Sequence, residues 1–162
     1  MLTQERLKYL LLYEPDCGEW YWISSPSPSV RIGQEAGHRR EDGYLRISVD
    51  GTLYYAGPLA WLYMTGEWPK EQIDHENQNR HDYRWSNLRE ATWGQNMANR
   101  SLPFNNTTGY RGISLFQGKW EVRVNTIYFG RYDDLEEAIE VRDSKALELQ
   151  GEFAVLNNPY QE

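Results

Sequence analysis

Apolar positions along the chain recur with two different periods, and the switches between them lay out the elements. Leu7, Leu10 and Leu11 fall on one face of a helix between Thr3 and Leu12. Tyr13 to Gly18 turns the chain, and Trp20 and Trp22 alternate with Tyr21 in a strand from Glu19 to Ile23. Ser24 to Val30 is a Ser-Pro loop. Tyr44 to Val49 and Thr52 to Ala56 flank Asp50-Gly51, which takes the positive φ angles of a tight turn, so the two runs predict a hairpin. Gly57 and Pro58 open a helix over Leu59 to Thr65, and Gly66 closes it. Gln72 to His75 is a short strand-like run. Glu76 to Ser86 is too polar to be a buried element and forms a loop, and Leu88 to Ala91 is a second short strand. Thr92, with Gln95 three residues on, is a capping-box pattern that predicts a helix from Trp93 through Asn96 to about Arg100.

Ser101 to Thr108 is polar, Pro-containing and uncharged, and is taken as a linker. Beyond it, Tyr110 to Leu115, Lys119 to Val124 and Ile127 to Tyr132 are three strands separated by Gln117-Gly118 and Asn125-Thr126. Asp133 and Glu136 make a second capping box, from which a helix runs to about Gln150 before Gly151 stops it. Leu135, Ala138, Ile139, Ala146 and Leu149 supply its apolar stripe, and the acids take the other face. The fold class is therefore α+β.

Composition adds bounds. At 162 residues with 40% apolar, the chain is one ordinary domain or two small ones sharing an interface. Seven Trp and twelve Tyr are many for this length and serve cores and interfaces alike. No run approaches the ~18 apolar residues of a membrane span, and MLTQERLKYLLLYEPD carries no signal-peptide cleavage pattern, so a soluble intracellular protein with no membrane partner is expected. Cys17 is the only cysteine, which excludes an intrachain disulfide and a thiolate zinc cluster.

A net charge of −7 argues at first against a nucleic-acid partner. The excess is local: residues 133 to 162 hold nine acids and two bases, while residues 1 to 132 balance to zero. Residues 101 to 132 carry Arg111, Lys119, Arg123 and Arg131 against Glu121 alone. A basic surface is available.

The densest candidate chemistry lies in IDHENQNRHDYRWSNLREATWGQNMANR, from Ile73 to Arg100. A neutral imidazole at His75 can take a proton from water near pH 7. Asp74 and Asn96 offer the hard oxygen ligands that a magnesium-like ion prefers, and Asn87 can hold the imidazole in one tautomer. Asp74-His75, Asn87-Leu88-Arg89, Gln95-Asn96 and Asn99-Arg100 together resemble the HNH nuclease motif of the phage and intron-associated homing branch. The resemblance implies a ββα-metal site with His75 as general base, Asp74 and Asn96 as ligands of one divalent ion (Mg2+ or Mn2+), and Asn87 orienting His75. Relatives often have an Asn-Gly turn after the first His, whereas here Gln78 follows Asn77. The last ligand is Asn rather than His, a variation common in this branch.

Upstream, GYLRISVDG and LAWLYMTGEWP also resemble the region preceding the motif in phage HNH proteins, with Gly57-Pro58 where many relatives have His-Arg. This block is read as a scaffold, with His38, Arg39, Arg40 and Arg46 available to phosphates. TGYRGIS, KWEVRV, FGRYDDLEEAI and LQGEFAVLN resemble the apetala and ethylene-response type of DNA-binding domain, whose three-stranded sheet enters the major groove. By position that resemblance points at Arg111, Ser114, Trp120, Arg123 and Arg131. The helix is not the reading element, so its acids can face away from DNA.

The expected organisation is an N-terminal helix and hairpin scaffold (1–70), a ββα-metal module (71–100), a linker (101–108) and a sheet domain packed on one helix (109–158). The expected function is a divalent-metal-dependent endonuclease acting on double-stranded DNA. As a monomer it would nick, leaving 5′-phosphate and 3′-hydroxyl ends, and by resemblance it would be a phage protein working in the bacterial cytoplasm. Two alternatives stand beside it: a non-catalytic DNA-binding or regulatory protein that keeps the motif as a fold staple, and an acidic protein that imitates DNA.

Overall fold

The computed structural model describes residues 1–157, and within them four α-helices and four small antiparallel sheets form an α+β fold. The chain divides into two compact units, Met1–Trp93 and Gly94–Glu162. No helix among the described residues is long and apolar enough to cross a membrane.

The first unit opens with α1 (Gln4–Leu10), whose N-terminus is capped by Thr3 accepting from the Arg6 N–H at 3.2 Å. The helix stops short of the predicted Leu12. Leu10-Leu11-Leu12-Tyr13 fits either period, and the backbone becomes extended at Leu11. There β1 (Leu11–Glu14) pairs with β2 (Glu19–Trp22), and Leu11 and Tyr13 are buried on one face. The turn between these strands ends at Gly18, with φ of +79° and Tyr83 main chain so near that a Cβ would lie 2.3 Å from its carbonyl carbon. Only glycine fits there.

A second sheet holds β3 (His38–Arg39), β4 (Leu45–Val49) and β5 (Thr52–Tyr55) in that order. Asp50 and Gly51 both have positive φ, as the hairpin signal requires. His38 and Arg39 pair with Arg46 and Leu45. Helix α2 (Ala56–Thr65) starts three residues earlier than predicted. Pro58 is tolerated in its first turn, where an N–H has no helical partner. Gly57 admits Ile73, whose Cγ2 would lie 3.2 Å from an added Cβ. Next come β6 (Gln72–His75) and β7 (Leu88–Ala91), with bounds as predicted, paired so that Asp74 opposes Arg89 and His75 opposes Leu88. A single 3₁₀ turn, Trp85–Asn87, leads into β7. Leu7, Leu10, Tyr13, Trp20, Ile47, Leu59 and Leu62 form one core with Tyr83 and Leu88. The N-terminal block and the β6–β7 pair thus share a single hydrophobic cluster.

Helix α3 (Trp93–Ala98) begins two residues after β7 and ends two residues before the predicted Arg100. In the second unit β8 (Ile113–Phe116), β9 (Lys119–Val124) and β10 (Ile127–Tyr132) form a sheet in the order β10-β9-β8. α4 (Leu135–Gln150) packs on it through Ala138, Leu135 and Ile139 against Ile113, Val122, Trp120 and Phe129. Its cap is Asp134, one residue beyond the predicted Asp133, accepting from the Glu137 N–H at 2.9 Å. Leu149 falls off the predicted apolar stripe and is 44% exposed. The acids do not all face outward either, because Arg142 and Asp143 are buried together. Arg142 Nη1 donates to Asp143 Oδ1 at 2.8 Å and to the Val155 carbonyl at 2.6 Å. Asp143 Oδ2 accepts from the Asn157 N–H at 2.8 Å, and the Asn157 amide clasps the main chain of Arg111 through both its atoms. That clasp accounts for the late start of β8, since Arg111 is held by the tail rather than by a strand.

Candidate active site

The hairpin of β6 and β7 places His75 at the end of one strand, followed at once by the polar loop 76–86. Asn87 closes that loop. Its Oδ1 accepts from the Asn77 N–H at 3.0 Å, its Nδ2 donates to the Asp82 carbonyl at 2.8 Å, and its own carbonyl accepts from the Glu76 N–H at 3.0 Å. Sequence reasoning assigned Asn87 directly to the imidazole. The side chain instead fixes the main chain of the loop that His75 begins, so it acts on His75 through the backbone.

Asp82 is the loop's second organiser. It accepts from Asn77 Nδ2 at 2.7 Å and pairs with Arg84 at 2.5 Å, and the Arg84 guanidinium above all holds its carboxyl down at about 2. At the turn, the Gln78 N–H donates to the His75 carbonyl at 2.9 Å, and Gln78 has φ of +62°. The left-handed residue that glycine would supply in an Asn-Gly turn is present here with a glutamine in it.

His75 is buried, with the Tyr83 ring edge-on at 5.1 Å and the Tyr44 ring tilted at 6.2 Å. Burial pushes the imidazole below the usual histidine range. Asp74 and Asp82 pull it the other way, and Arg80 adds to the depression. A histidine so placed is neutral at pH 7 and able to accept a proton. Asp74 is buried beside it on β6, with Arg89 Nε 3.1 Å from its Oδ2 across the strand pair. Tyr83 anchors the loop to the rest of the unit: its hydroxyl accepts from the Leu45 N–H at 2.7 Å and its carbonyl accepts from the Tyr13 hydroxyl at 2.5 Å.

Asp74, His75 and Asn87 are thus brought together in the first unit. Asn96 is half-buried on α3, beyond the boundary between the units. Among the described residues no group of three or more His, Cys, Asp or Glu is arranged to hold a metal ion. The donor set that the motif offers, one carboxylate and one amide oxygen, is hard-oxygen chemistry that suits an ion keeping several of its own waters, as Mg2+ does. No role was assigned from sequence to Tyr44, Arg80, Asp82 or Tyr83, and Arg89 was named only as part of the motif. Tyr83 was the most visible of these, one of two aromatic residues, with Trp85, in an otherwise polar loop. Arg89 follows from strand register once His75 is set opposite Leu88.

The other cations divide by surroundings. Arg40 pairs with Asp42 at 3.3 Å, and Arg46 lies over the Tyr55 ring and donates to its hydroxyl. In the second unit Ser114, Arg123 and Arg131 occupy the sheet face turned away from α4. Arg123 lies over Tyr128 at 5.5 Å, and Arg131 lies over Phe116 at 4.9 Å while pairing with Glu121 at 2.7 Å. A bulge between Tyr128 and Gly130 shifts the β9–β10 register, which brings Tyr128 and Arg131 to the same face despite their odd spacing. Trp120 packs on the α4 side with Phe129 and Tyr132. Arg111 precedes the sheet, its guanidinium partly desolvated and donating to the Arg100 carbonyl. These two do not join the open face.

Residues 54–98 match the family model described as HNH endonuclease, a span that contains Asp74, His75, Asn87 and Asn96. A solved structure described as "DNA binding and cleavage by the HNH homing endonuclease I-HmuI" is similar at 18% identity and a TM-score of 0.47, covering 93% of this chain and 91% of that one. No curated protein matches the chain.

Proposed function

We propose that the chain is a divalent-metal-dependent endonuclease that hydrolyses a phosphodiester of duplex DNA. The observation that carries this reading is a buried, neutral His75 on the same short strand as Asp74, in a segment that matches the HNH endonuclease family. His75 takes the proton of a water molecule, whose oxygen attacks phosphorus in line with the departing 3′ oxygen, leaving a 5′-phosphate and a 3′-hydroxyl. Asn87 keeps the loop after His75 in one shape, and Tyr83 and Tyr44 exclude bulk water from two sides of the ring. Asp74 and Asn96 would hold one Mg2+ or Mn2+ ion, which when bound supplies charge stabilisation at the leaving oxygen and the phosphoryl group. Support for Asn96 is the order of the chain, since α3 follows β7 after Thr92 alone.

In the same reading the open face of the β8–β10 sheet targets duplex DNA through Ser114, Arg123 and Arg131, and Trp120 and Arg111 serve the fold. One such site cuts one strand, so a monomer nicks. By its resemblance to phage proteins, the setting is the cytoplasm of a bacterial host.

A second reading keeps the motif as a staple in a non-catalytic DNA-binding protein. The Arg89–Asp74 pair favours it, because that pair already compensates the buried carboxylate. A supercoiled-plasmid assay with Mg2+ or Mn2+ decides: nicking by the wild type that disappears in His75→Ala supports the enzyme. Nicking that survives in His75→Ala removes His75 from the chemistry.

A further inference from the structure

Of the arginines around loop 76–86, most are neutralised within the chain. Arg84 pairs with Asp82, Arg89 with Asp74 and Arg40 with Asp42. Arg80 and Arg39 differ. Both are exposed, and among the described residues neither meets a carboxylate. Each donates instead to a main-chain carbonyl of the other's loop: Arg80 Nη1 to Asp42 at 3.3 Å, and Arg39 Nη1 to His81 in a longer contact of 3.5 Å. The two loops interlock at Gly43, where φ is +90° and an added Cβ would lie 3.2 Å from His81 Nε2.

Arg80 is further fixed by the Tyr44 ring, whose centroid lies 5.0 Å from its guanidinium carbon, and that same ring is 6.2 Å from His75. A cation stacked on an aromatic face and hung from a carbonyl is positioned without being neutralised. Among the described residues only one of its five N–H donors is engaged, which leaves the planar fork for an anion.

We propose, resting on the nuclease reading above, that Arg80 and Arg39 form a phosphate-binding subsite beside His75, with Arg80 donating to a non-bridging oxygen on the strand that is cut. Arg80 then holds the reacting strand in register with the imidazole and stabilises charge that grows on the phosphoryl group. Tyr44 is the positioning residue that ties the two together.

The test uses the full chain with Arg80→Ala, Arg80→Met, Arg80→Lys and Arg39→Ala. Each is assayed for plasmid nicking at saturating DNA and for the salt dependence of binding to a random-sequence duplex. Arg80→Ala should slow nicking roughly 100-fold, the scale of losing one preorganised donor, and lower the salt slope by about one counterion. Arg80→Met keeps a long stem over Tyr44 and should do the same, which separates charge from packing. Arg80→Lys should restore the slope but little of the rate, and free guanidinium ion should partly rescue Arg80→Ala. Arg39→Ala should lower the slope with a smaller effect on rate.

Where the wild type nicks and His75→Ala does not, the nuclease reading stands. An unchanged salt slope in Arg80→Ala then overturns the subsite, whatever the rate does. Should the wild type nick nothing in either metal, the nuclease reading falls and duplex binding alone decides: a slope lowered by about one keeps the phosphate site, and an unchanged slope ends it.

Discussion

Each unit buries an ion pair, and what surrounds the two pairs differs. In the second unit the Arg142 and Asp143 side chains are 2% and 1% exposed. They are enclosed by the Val155 carbonyl and the Asn157 N–H from the chain's C-terminal stretch. In the first unit Asp74 and Arg89 are 6% and 17% exposed, and the carboxylate adjoins His75 and a polar loop. The first arrangement closes charge off by main-chain hydrogen bonds and serves the fold. The second leaves it beside a proton acceptor and a solvated loop, where an ion or a phosphate can reach it.

The largest effect expected from this contrast is on stability. Arg142→Ala leaves Asp143 buried without its cation and should destabilise the second unit by about 3–5 kcal/mol. Arg89→Ala, at the more open pair, should cost about 1–3 kcal/mol. Chemical denaturation of the full chain, with hydrogen exchange to assign the loss to a unit, checks both values. Equal losses would mean that the two pairs are equivalent and that the openness of the first has no energetic meaning.

Next in size is the division of labour on the sheet. Arg123→Ala should weaken binding to a preferred duplex by about 1–3 kcal/mol if the side chain meets a base edge. Trp120→Leu should lower the melting temperature and leave the affinity of the folded protein unchanged. Binding isotherms taken well below the transition separate the two. A loss of affinity in Trp120→Leu without a loss of stability would return Trp120 to the DNA-facing set.

Much of this was legible in the residues. The bounds of β6, β7, β9 and β10 are as the alternation and turn residues predicted, because Gly and the polar loops bound those runs on both sides. Leu11 and Leu12 were misread as helix because four consecutive apolar residues satisfy both periods, and only pairing with Glu19–Trp22 settles which one wins. The acids of α4 were assigned to its outer face, and the burial of Asp143 with Arg142 was not foreseen, since the partners Val155 and Asn157 lie beyond the helix and no local pattern announces them. At the candidate site, the placement of Asp74 and His75 on one short strand and of Asn87 at the far end of the polar loop follows from the run of residues. That of Tyr44 and Arg80 does not, because they come from separate loops that meet only when the hairpin docks.

A smaller effect concerns pH. Asp82 has its carboxyl lowered to about 2 by Arg84 first, and by Asn77 among other contacts. A folded-state value below the unfolded ~3.9 contributes stability that is fully present above pH ~4 and is lost as pH falls toward 2. Asp82→Asn should therefore melt below the wild type at neutral pH, and the gap should close between pH ~4 and pH ~2. A gap that stays constant over that range would show that Asp82 acts through shape rather than charge.

The smallest effect sets one turn from each unit side by side. Gln78 in the site loop and Gln117 in the β8–β9 hairpin both have positive φ, +62° and +52°. An L-residue there costs roughly 1–2 kcal/mol, and glycine recovers part of that while adding 0.5–1 kcal/mol of backbone entropy to the unfolded chain. Gln78→Gly and Gln117→Gly should each stabilise by less than about 1 kcal/mol. They should part company in function. The Gln117 turn joins two sheet strands, whereas the Gln78 N–H holds the His75 carbonyl. Releasing the strain at Gln78 loosens the main chain that carries the proposed base, so nicking should slow in Gln78→Gly and stay at the wild-type rate in Gln117→Gly. Equal rates in the two variants would mean that the left-handed glutamine after His75 is a tolerated substitution for glycine and that the chemistry does not depend on it.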